Sequence, residues 1–461
     1  MVRVVRVNLR LAVALGALAI ASPAHATPVS AHTMVHSCCT PNALKERVFS
    51  EAKDLGAEYV RVDVEMSPIF EAPDGSKSDP PNWSGLDEIT ALSKKYDLPV
   101  LAILLAPPRF VSACPDKPDP SRCAAGDTEE FGALAGQIAK HAAGTIDYWE
   151  VLNEPDGDWA FEGTPEQYAG MLSAAYDGIK AQVPSARVLM GGLMRPHEPG
   201  WLERVFATPG ADAIHKFDIA NIHVRGPVDN VVSRYGAFRS WIEARGFHGP
   251  LWVTEHGYPA DPAFQSDRAY TGGDAAQAAY LTQTLVGLGE VSAPQVFVTL
   301  RDNLEGEYAS EGLEHIDEAN GNAVARRPSF DAVRRVIANW DELMATRAQQ
   351  RENEQQQRVE QAAAALSTNE ARTARAKFRD ARLRVHAAQD ALAAPRRGTQ
   401  LRVEKRLARL KSRVMRARAL LAGRRTMLLW HSASARWHTD RAYERAVAAE
   451  LLRRRIASGG R

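Results

Sequence analysis

The chain has 461 residues, a formal net charge of +1 and 25% charged residues. This length excludes a single ordinary domain and predicts one large domain with an additional module. The charge is uneven, because residues 341–461 contain 28 Lys and Arg against 12 Asp and Glu. That segment carries +16, and residues 1–340 therefore carry −15. Such asymmetry indicates separate modules and a tail attracted to polyanions.

Residues 1–26 have the pattern of a secretory signal peptide. Three arginines among the first ten residues precede a short apolar stretch at 11–21, and Ala24-His25-Ala26 supplies small residues for cleavage. The apolar stretch is too short for a membrane anchor, and no later stretch has about 18 or more consecutive apolar residues. We therefore expect a protein that is secreted or associated with the cell envelope.

Eight strand-like runs, rich in β-branched and aromatic residues, follow along the chain. They lie at 32–36, 59–64, 99–105, a run ending at 154, 186–192, 218–224, a run ending at 255, and 295–300. Amphipathic segments such as 86–96, 129–142 and 165–182 separate them. Eight βα units over residues 27–342 predict an α/β fold, a (β/α)8 TIM barrel whose strands are buried on both faces. The alternative is a doubly wound open sheet, but no Gly-rich phosphate loop follows the first run.

Two glutamates end two of these runs. Glu154 lies in Asn153-Glu154-Pro155 at the end of the fourth run, and Glu255 ends the seventh. Residues at the carboxyl ends of barrel strands point into the mouth of the barrel, where such enzymes keep their chemistry. Glycoside hydrolysis requires two facing carboxyls, one as proton donor and one as nucleophile or base. The pattern predicts that both glutamates are catalytic, although a lone glutamate at a strand end is more often a solvated loop residue.

The residues around both glutamates resemble retaining glycoside hydrolases of clan A, nearest to family 39. The matching positions are Asn153-Glu154-Pro155 after strand four, Glu255 after strand seven, Arg61 after strand two and His223 after strand six, with segments 83–87, 312–313 and 327–330. The resemblance covers about residues 30–340 and not the tail. It implies a retaining double displacement on a poly- or oligosaccharide, with Glu154 as acid/base and Glu255 as nucleophile.

The resemblance also implies roles for neighbouring residues. Arg61 is expected to keep Glu255 ionised, but it could equally be a structural ion-pair partner of Asp63 or another barrel acid. Asn153 is expected to bind the sugar 2-hydroxyl. His223 is expected to orient Glu255 or to bind a hydroxyl, and the alternative is a histidine satisfied within the barrel end.

The chain departs from those relatives at three places. Arg225 stands two residues after the histidine of strand six, where relatives often carry a tyrosine nearby that touches the nucleophile. Arg301-Asp302 stands at the end of strand eight, where many relatives have a tryptophan under the sugar ring. Phe110 also stands where tryptophan is common. These differences bear chiefly on the substrate.

Aromatic residues in loops on the catalytic side are candidates for sugar platforms, because sugar rings present apolar faces. They are Trp83, Phe110, Trp159, Phe161 and Tyr258. Trp159 and Tyr258 are closest in sequence to the two glutamates and are favoured, and Trp83 is a further candidate. We expect no cofactor and no metal ion.

The four cysteines fit an oxidising compartment. Cys114 and Cys123 enclose a short proline-containing loop, which favours a local disulfide. Cys38 and Cys39 are adjacent and are expected to be poorly placed to bond each other. The alternative joins Cys38 and Cys39 to Cys114 and Cys123, and the sequence leaves the pairing open.

Residues 343–461 predict a basic, all-α extension. Two long helices, at about 345–393 and 399–456, are expected to fold as a hairpin or coiled coil. The charge suits an anionic cell-envelope polymer or a membrane surface, and an unpartnered, solvated hairpin is an equal alternative. Nucleic acid is not expected, because no recognition motif is present.

Two classes of function follow from these features. The first is a secreted glycoside hydrolase with an appended basic helical module. The second is a non-catalytic carbohydrate-binding or cell-envelope scaffold protein on a retained barrel. The presence of both glutamates together with the strand-two arginine favours the enzyme.

Overall fold

The computed structural model describes residues 28–261, 272–302, 308–317 and 323–393. The expected signal peptide at 1–26 and the expected second tail helix at 399–456 lie outside these residues. In the described part of the chain, no helix combines the length and the apolar character that crossing a membrane requires.

Eight parallel strands form the centre of the molecule. They are β1 (Val29–His36), β2 (Val60–Glu65), β3 (Val100–Leu105), β4 (Tyr148–Val151), β5 (Arg187–Leu189), β6 (Ala220–His223), β7 (Leu251–His256) and β8 (Val296–Thr299). The sheet order is β5-β4-β3-β2-β1-β8-β7-β6. Parallel bridges from Leu189 to Ile219 and from Leu193 to Ile222 join its two ends, so the sheet closes. The predicted (β/α)8 barrel is confirmed.

Helices cover the outside of the barrel. They are α1 (Asn42–Leu55), α2 (Ser67–Phe70), α3 (Ser84–Tyr96), α4 (Thr128–His141), α5 (Pro165–Gln182), α6 (Gly200–Phe206), α7 (Val228–Glu243), α8 (Gly273–Glu290), α9 (Pro328–Ala338) and α10 (Trp340–Ala393). Local sequence sets several boundaries. Thr164 and Gln167 form a reciprocal capping box at the start of α5, and Gly56 adopts a left-handed conformation, φ 85°, at the end of α1.

The lower half of the barrel interior is an apolar plug. Side chains on alternate residues of each strand point inward, and the inward residues nearest the strand starts form one cluster. Its members are Tyr59, Leu101, Tyr148, Leu189, Ile219, Trp252 and Phe297. Two residues further along these strands, towards the barrel mouth, the interior side chains are polar, as with Arg61 on β2 and Glu150 on β4. The plug therefore supports a polar layer directly beneath the mouth.

Three elements differ from the sequence prediction. Strand β4 ends at Val151 rather than at Glu154, because Leu152 and Glu154 adopt left-handed backbone angles that extended strands do not contain. An antiparallel hairpin, β9 (Glu314–Asp317) and β10 (Ala323–Arg326), follows the barrel and was not predicted. Helix α10 begins at Trp340, about five residues before the expected start.

The first turns of α10 belong to the packed part of the molecule. Trp340 and Leu343 are buried, and Arg347 forms an ion pair with Glu290 of α8. Arg351 also lies 3.6 Å from Glu290. The expected module boundary at 342/343 therefore falls inside a continuous helix.

Two disulfides are present. Cys114 bonds to Cys123, as the favoured pairing predicted. Cys38 bonds to Cys39, so the expectation that these neighbours are poorly placed was wrong, and the alternative of cross-bridges between the two loops does not form. Both residues lie in the turn that directly follows β1, and this turn brings their Sγ atoms together.

Candidate active site

Backbone strain directs Glu154 into the barrel mouth. Leu152 has φ 64° and Glu154 has φ 45°, both in the left-handed region that residues other than glycine seldom occupy. The Glu154 amide donates to the Gly192 carbonyl at 3.0 Å and so fixes the turn beyond β4. Strain of this kind costs about 1–3 kcal/mol per residue and is typical of functional sites.

An irregular register in β7 directs Glu255 to the same place. Pairing with β6 shifts between Ile222 and His223, and pairing with β8 shifts between Val253 and His256. In a regular strand, Thr254 and Glu255 would point to opposite faces. Here Thr254 accepts from Asn221 at 3.1 Å inside the barrel, and Glu255 also accepts from a barrel side chain. The irregularity therefore lets two consecutive residues face inward.

The two glutamates face each other across one cavity. One oxygen of Glu154, one oxygen of Glu255 and one nitrogen of His223 all lie within 4.8 Å of one another. Glu154 is 4% exposed and Glu255 is 7% exposed. The cavity has a volume of about 780 Å³, which is within the usual range of ligand pockets, roughly 300–1,000 Å³.

Arg61 connects Glu150, Glu255 and Asn153 beneath the cavity. Its Nε and Nη2 donate to the two oxygens of Glu150 at 2.8 and 2.9 Å. Its Nη1 donates to Glu255 Oε1 at 2.8 Å, and Nη2 also donates to Asn153 Oδ1 at 2.8 Å. Burial alone would lower the pKa of Arg61, but the charges of Glu150 and Glu255 raise it. The arginine therefore contacts the strand-seven glutamate directly.

A second guanidinium holds the other oxygen of Glu255. Arg225 Nη2 donates to Glu255 Oε2 at 3.0 Å, while Nε and Nη2 donate to Glu311 at 2.6 and 2.9 Å. Thr299 donates to the same Glu311 carboxylate at 3.1 Å. Gly257 lies so close to Glu311 that any larger residue there would displace it. Glu255 is thus clamped between two arginines.

These contacts decide the protonation state of Glu255. Burial by itself would raise its pKa, but His223, Arg61 and Arg225 lower the pKa well below the usual range of a glutamate. Glu255 is therefore a carboxylate at neutral and mildly acidic pH.

His32 supports that state as a neutral ring. Burial lowers the pKa of His32 to about 3. Arg61 Nη1 lies 3.2 Å from His32 Nδ1, so Nδ1 is the acceptor and the proton belongs on Nε2. That nitrogen lies 3.5 Å from Glu255 Oε1.

Glu154 has a different partner. Its Oε1 lies 2.6 Å from His223 Nδ1, and the same nitrogen lies 3.4 Å from Glu255 Oε2. A side chain at Gly192 would collide with His223 Nε2, so glycine is needed for this approach. His223 is therefore positioned between the two carboxyls.

Of the five aromatic candidates, one lines the cavity and four pack elsewhere. Trp159 lines the cavity and is 57% exposed. Tyr258 is buried, packs on Tyr280 and accepts from the Gly272 amide at 3.2 Å, outside the residues that line the cavity. Trp83 stacks on His141 at 4.1 Å, also outside that lining. Of the two remaining aromatics, Phe161 is buried and Phe110 packs partly buried against the core.

Sequence reasoning missed several contributors to this network. Glu150, Glu311 and His32 were not identified, and Arg225 was noticed only as a departure from relatives. The period-two pattern of inward residues was an available signal for Glu150, which lies two residues after Tyr148 on the same face of β4. Glu311 lies in an irregular segment, where no periodicity exists to identify it.

Two groups of described residues bring metal-type donor atoms together. They are Glu154 with His223 and Glu255, and His36 with Asp63 and Glu65. In the first group, the two arginines on Glu255 already supply its positive counter-charge. In the second, His36 Nδ1 lies 2.5 Å from Glu65 and 3.4 Å from Asp63, so the ring supplies a counter-charge when protonated.

No protein-family model matches the sequence, and no curated protein is similar to it in sequence. Solved structures do share its fold. A glucosidase from Croceicoccus marinus has a TM-score of 0.51 and 16% identity, covering 68% of this chain and 68% of that chain. A conserved exported protein from Bacteroides fragilis has a TM-score of 0.50 and 13% identity, covering 67% and 78%.

A family 39 glycoside hydrolase from the gut symbiont Bacteroides cellulosilyticus WH2 has a TM-score of 0.49 and 18% identity. That match covers 68% of this chain and 64% of that chain, so this chain spans somewhat less than two thirds of it. These similarities show that the chain shares its fold with a solved glucosidase.

Proposed function

We propose that this chain is a retaining glycoside hydrolase acting on a poly- or oligosaccharide. The observation that carries the proposal is the approach of Glu154 and Glu255, whose nearest oxygens lie within 4.8 Å in one cavity. Retaining enzymes hold their carboxyls about 5–5.5 Å apart, whereas inverting enzymes leave about 6.5–9.5 Å for a water molecule. The short approach favours direct attack by a carboxylate on the sugar.

Glu255 is proposed as the nucleophile. Both of its oxygens accept from guanidinium groups, and its pKa is lowered by His223, Arg61 and Arg225 against the opposing effect of burial. It is therefore ionised when substrate binds. The same arginines stabilise the carboxylate again when the glycosyl-enzyme bond breaks in the second step.

Glu154 is proposed as the acid/base. It protonates the leaving oxygen and later removes a proton from the attacking water. Its contact with His223 provides a partner for the carboxyl in both protonation states, because an imidazole nitrogen can donate to a carboxylate or accept from a carboxylic acid. His223 is therefore proposed as a positioning residue for Glu154 and, at 3.4 Å, for Glu255.

Two further residues are proposed to hold the sugar. Asn153 lines the cavity, and its Oδ1 accepts from Arg61, which leaves the amide group to donate to the 2-hydroxyl. Trp159 offers an exposed ring at the rim for the apolar face of a neighbouring sugar unit. Tyr258 and Trp83 lie outside the cavity lining and are proposed to pack around the site.

Azide rescue tests these assignments. Glu255→Ala should abolish turnover, whereas Glu154→Ala should retain activity on aryl glycosides whose leaving groups need little protonation. Azide should restore part of the activity in both variants and give glycosyl azides of opposite anomeric form. The products are resolved by nuclear magnetic resonance after incubation with a panel of aryl glycosides.

Glu166→Ala is the matched control, because Glu166 is an exposed carboxylate that pairs with Arg204 outside the cavity. It should behave as the wild type. Full activity in Glu255→Ala would remove Glu255 as the nucleophile. Binding of glycans without turnover of any of them by the wild type would favour the non-catalytic alternative.

We also propose that the protein is exported and that its basic C-terminal segment attaches it to an anionic surface. The basic first residues and apolar stretch of the sequence, together with two disulfides, support export to an oxidising compartment. The +16 charge of residues 341–461 supports attachment to an anionic envelope polymer or membrane surface.

A further inference from the structure

Arg301 is a buried cation in the cavity wall with donors that have no acceptor. It follows β8, two residues after the inward-facing Thr299, and is 9% exposed. Its Nη2 donates to the Met34 carbonyl at 2.7 Å. Its Nε and Nη1 are buried without a hydrogen-bond partner, and within the described residues no acid forms an ion pair with it.

The other buried arginines of this wall are fully compensated. Arg61 binds Glu150 and Glu255, and Arg225 binds Glu311 and Glu255, all at 2.6–3.0 Å. An unpaired buried ion costs several kcal/mol. Burial accordingly lowers the pKa of Arg301, although a guanidinium stays charged in proteins. Arg301 therefore lacks the paired carboxylate that Arg61 and Arg225 each have.

The surroundings of Arg301 do not supply that charge. The acid with an electrostatic effect on Arg301 is Asp63 of β2. Burial raises the pKa of Asp63 to about 6, and its carboxylate lies 3.4 Å from His36. Arg234 and His197 add further basic groups to the cavity lining. Asp63 and Glu65 both contact His36, and neither forms an ion pair with Arg301.

Building on the proposed glycosidase, we propose that Arg301 binds the carboxylate of a uronic acid unit in the substrate. Strands β8 and β4 lie four apart in the closed eight-stranded order, so Arg301 and Glu154 occupy opposite sides of the mouth. Glu255 on β7 is next to β8. A sugar that presents its anomeric carbon to Glu255 therefore has Arg301 on the side away from the proton donor.

A neutral hydroxyl does not satisfy this site equally well. A hydroxyl oxygen would accept one hydrogen bond and leave the guanidinium charge uncompensated in a buried wall. A carboxylate supplies both the acceptor and the charge, and charge-assisted hydrogen bonds are about twice as strong as neutral ones. Arg301 is thus a specificity-determining residue that favours hexuronic acids over the matching neutral hexoses.

Paired substrates test this specificity. The kcat/KM of the full-length protein is measured on aryl hexuronides and on aryl hexosides of the same configuration. We expect the wild type to prefer the uronide and Arg301→Met to lose about 10- to 100-fold in kcat/KM on it. The hexoside value should not fall. Arg195→Met, which removes an exposed positive charge beside the cavity residues Met194 and Pro196, is the matched control and should leave the ratio unchanged.

Thermal denaturation gives an independent readout without turnover. Glucuronate, galacturonate or iduronate should raise the Tm of the wild type, neutral hexoses should not, and Arg301→Met should abolish the shift. Arg301→Met itself should not lower the Tm, because it removes an uncompensated buried charge. A structural role predicts the reverse, with a lower Tm in Arg301→Met and no response to uronates in the wild type.

The outcomes separate this inference from the proposed function. If the protein cleaves neutral glycosides and Arg301→Met does not change the ratio of kcat/KM on uronides to that on hexosides, the inference is wrong and the proposed glycosidase function is retained. Uronate binding that depends on Arg301, with no cleavage of any glycoside, would uphold the inference and remove the glycosidase. If Arg301→Met lowers kcat/KM only on aryl hexoside 6-sulfates and not on uronides, Arg301 does not recognise a substrate carboxylate.

Discussion

Because Arg61 and Arg225 keep Glu255 ionised, we expect the enzyme to stay active at unusually low pH. A double substitution tests whether Arg225 contributes to this acid tolerance. Arg225→Met combined with Glu311→Gln removes the second guanidinium and its buried counter-charge together. Arg225→Met alone would leave Glu311 as an unpaired buried charge, which costs about 3–5 kcal/mol of stability. The double variant changes the electrostatics at Glu255 without creating that defect.

The expected magnitude follows from the contact that is lost. Arg225 Nη2 donates to Glu255 Oε2 at 3.0 Å in a buried site. A hydrogen bond to a charged group contributes about 1.5–3 kcal/mol, and one pKa unit corresponds to about 1.36 kcal/mol. The pKa of Glu255 should therefore rise, and kcat/KM on the acid limb should fall by about 10- to 100-fold. Because the ionised form is the nucleophile, activity is lost at low pH and retained at higher pH.

The assay is the pH dependence of kcat/KM on a soluble aryl glycoside, which reports groups of the free enzyme. Arg239→Met with Glu243→Gln is the matched control, since this Arg–Glu pair lies on α7 outside the cavity. Its profile should equal that of the wild type. An unchanged acid limb in the Arg225/Glu311 variant would refute the view that Arg225 keeps Glu255 ionised.

Two further predictions concern the support of the site and the tail. Arg61→Met should lower the free energy of unfolding by about 3–5 kcal/mol in urea titrations, because Glu150 becomes an unpaired buried charge. Adding Glu150→Gln should recover part of that loss, and no recovery would contradict the ion-pair explanation. Deleting residues 353–461 keeps the docked turns of α10, so kcat/KM on small aryl glycosides should be retained. The full-length protein should sediment with anionic vesicles or envelope polymer in a salt-sensitive way, and the deletion should abolish this sedimentation. If both forms sediment equally, or if sedimentation does not depend on salt, the tether proposal is wrong.

The barrel was predictable because its signals are local. Strands buried on both faces need continuous apolar runs, and the breaks between them need proline, glycine or capping residues. The runs that became β2 and β3 differ from their predicted bounds by only a residue at either end. The positions of Glu154 and Glu255 followed from the same rule, since both lie where such a run stops.

The partners of those residues were not predictable in the same way. Arg61 and Glu255 are 194 residues apart, and Arg225 and Glu311 are 86 apart. Their contacts arise from closure of the sheet and from an irregular segment after β8. Hydrophobic periodicity reports which face of an element is buried, and it carries no information about which distant side chain meets it there.

Proximity in sequence also misled the choice of aromatic residues. Trp159 and Tyr258 are each close to a glutamate in the chain, but only Trp159 reaches the cavity lining, while Tyr258 packs on Tyr280. The sequence by itself determined the eight-unit barrel and the two acidic strand ends, because both depend on local hydrophobic and turn patterns. The tertiary structure decided the two-arginine clamp on Glu255 and the unpaired charge of Arg301, because both depend on which side chains the closed barrel brings together.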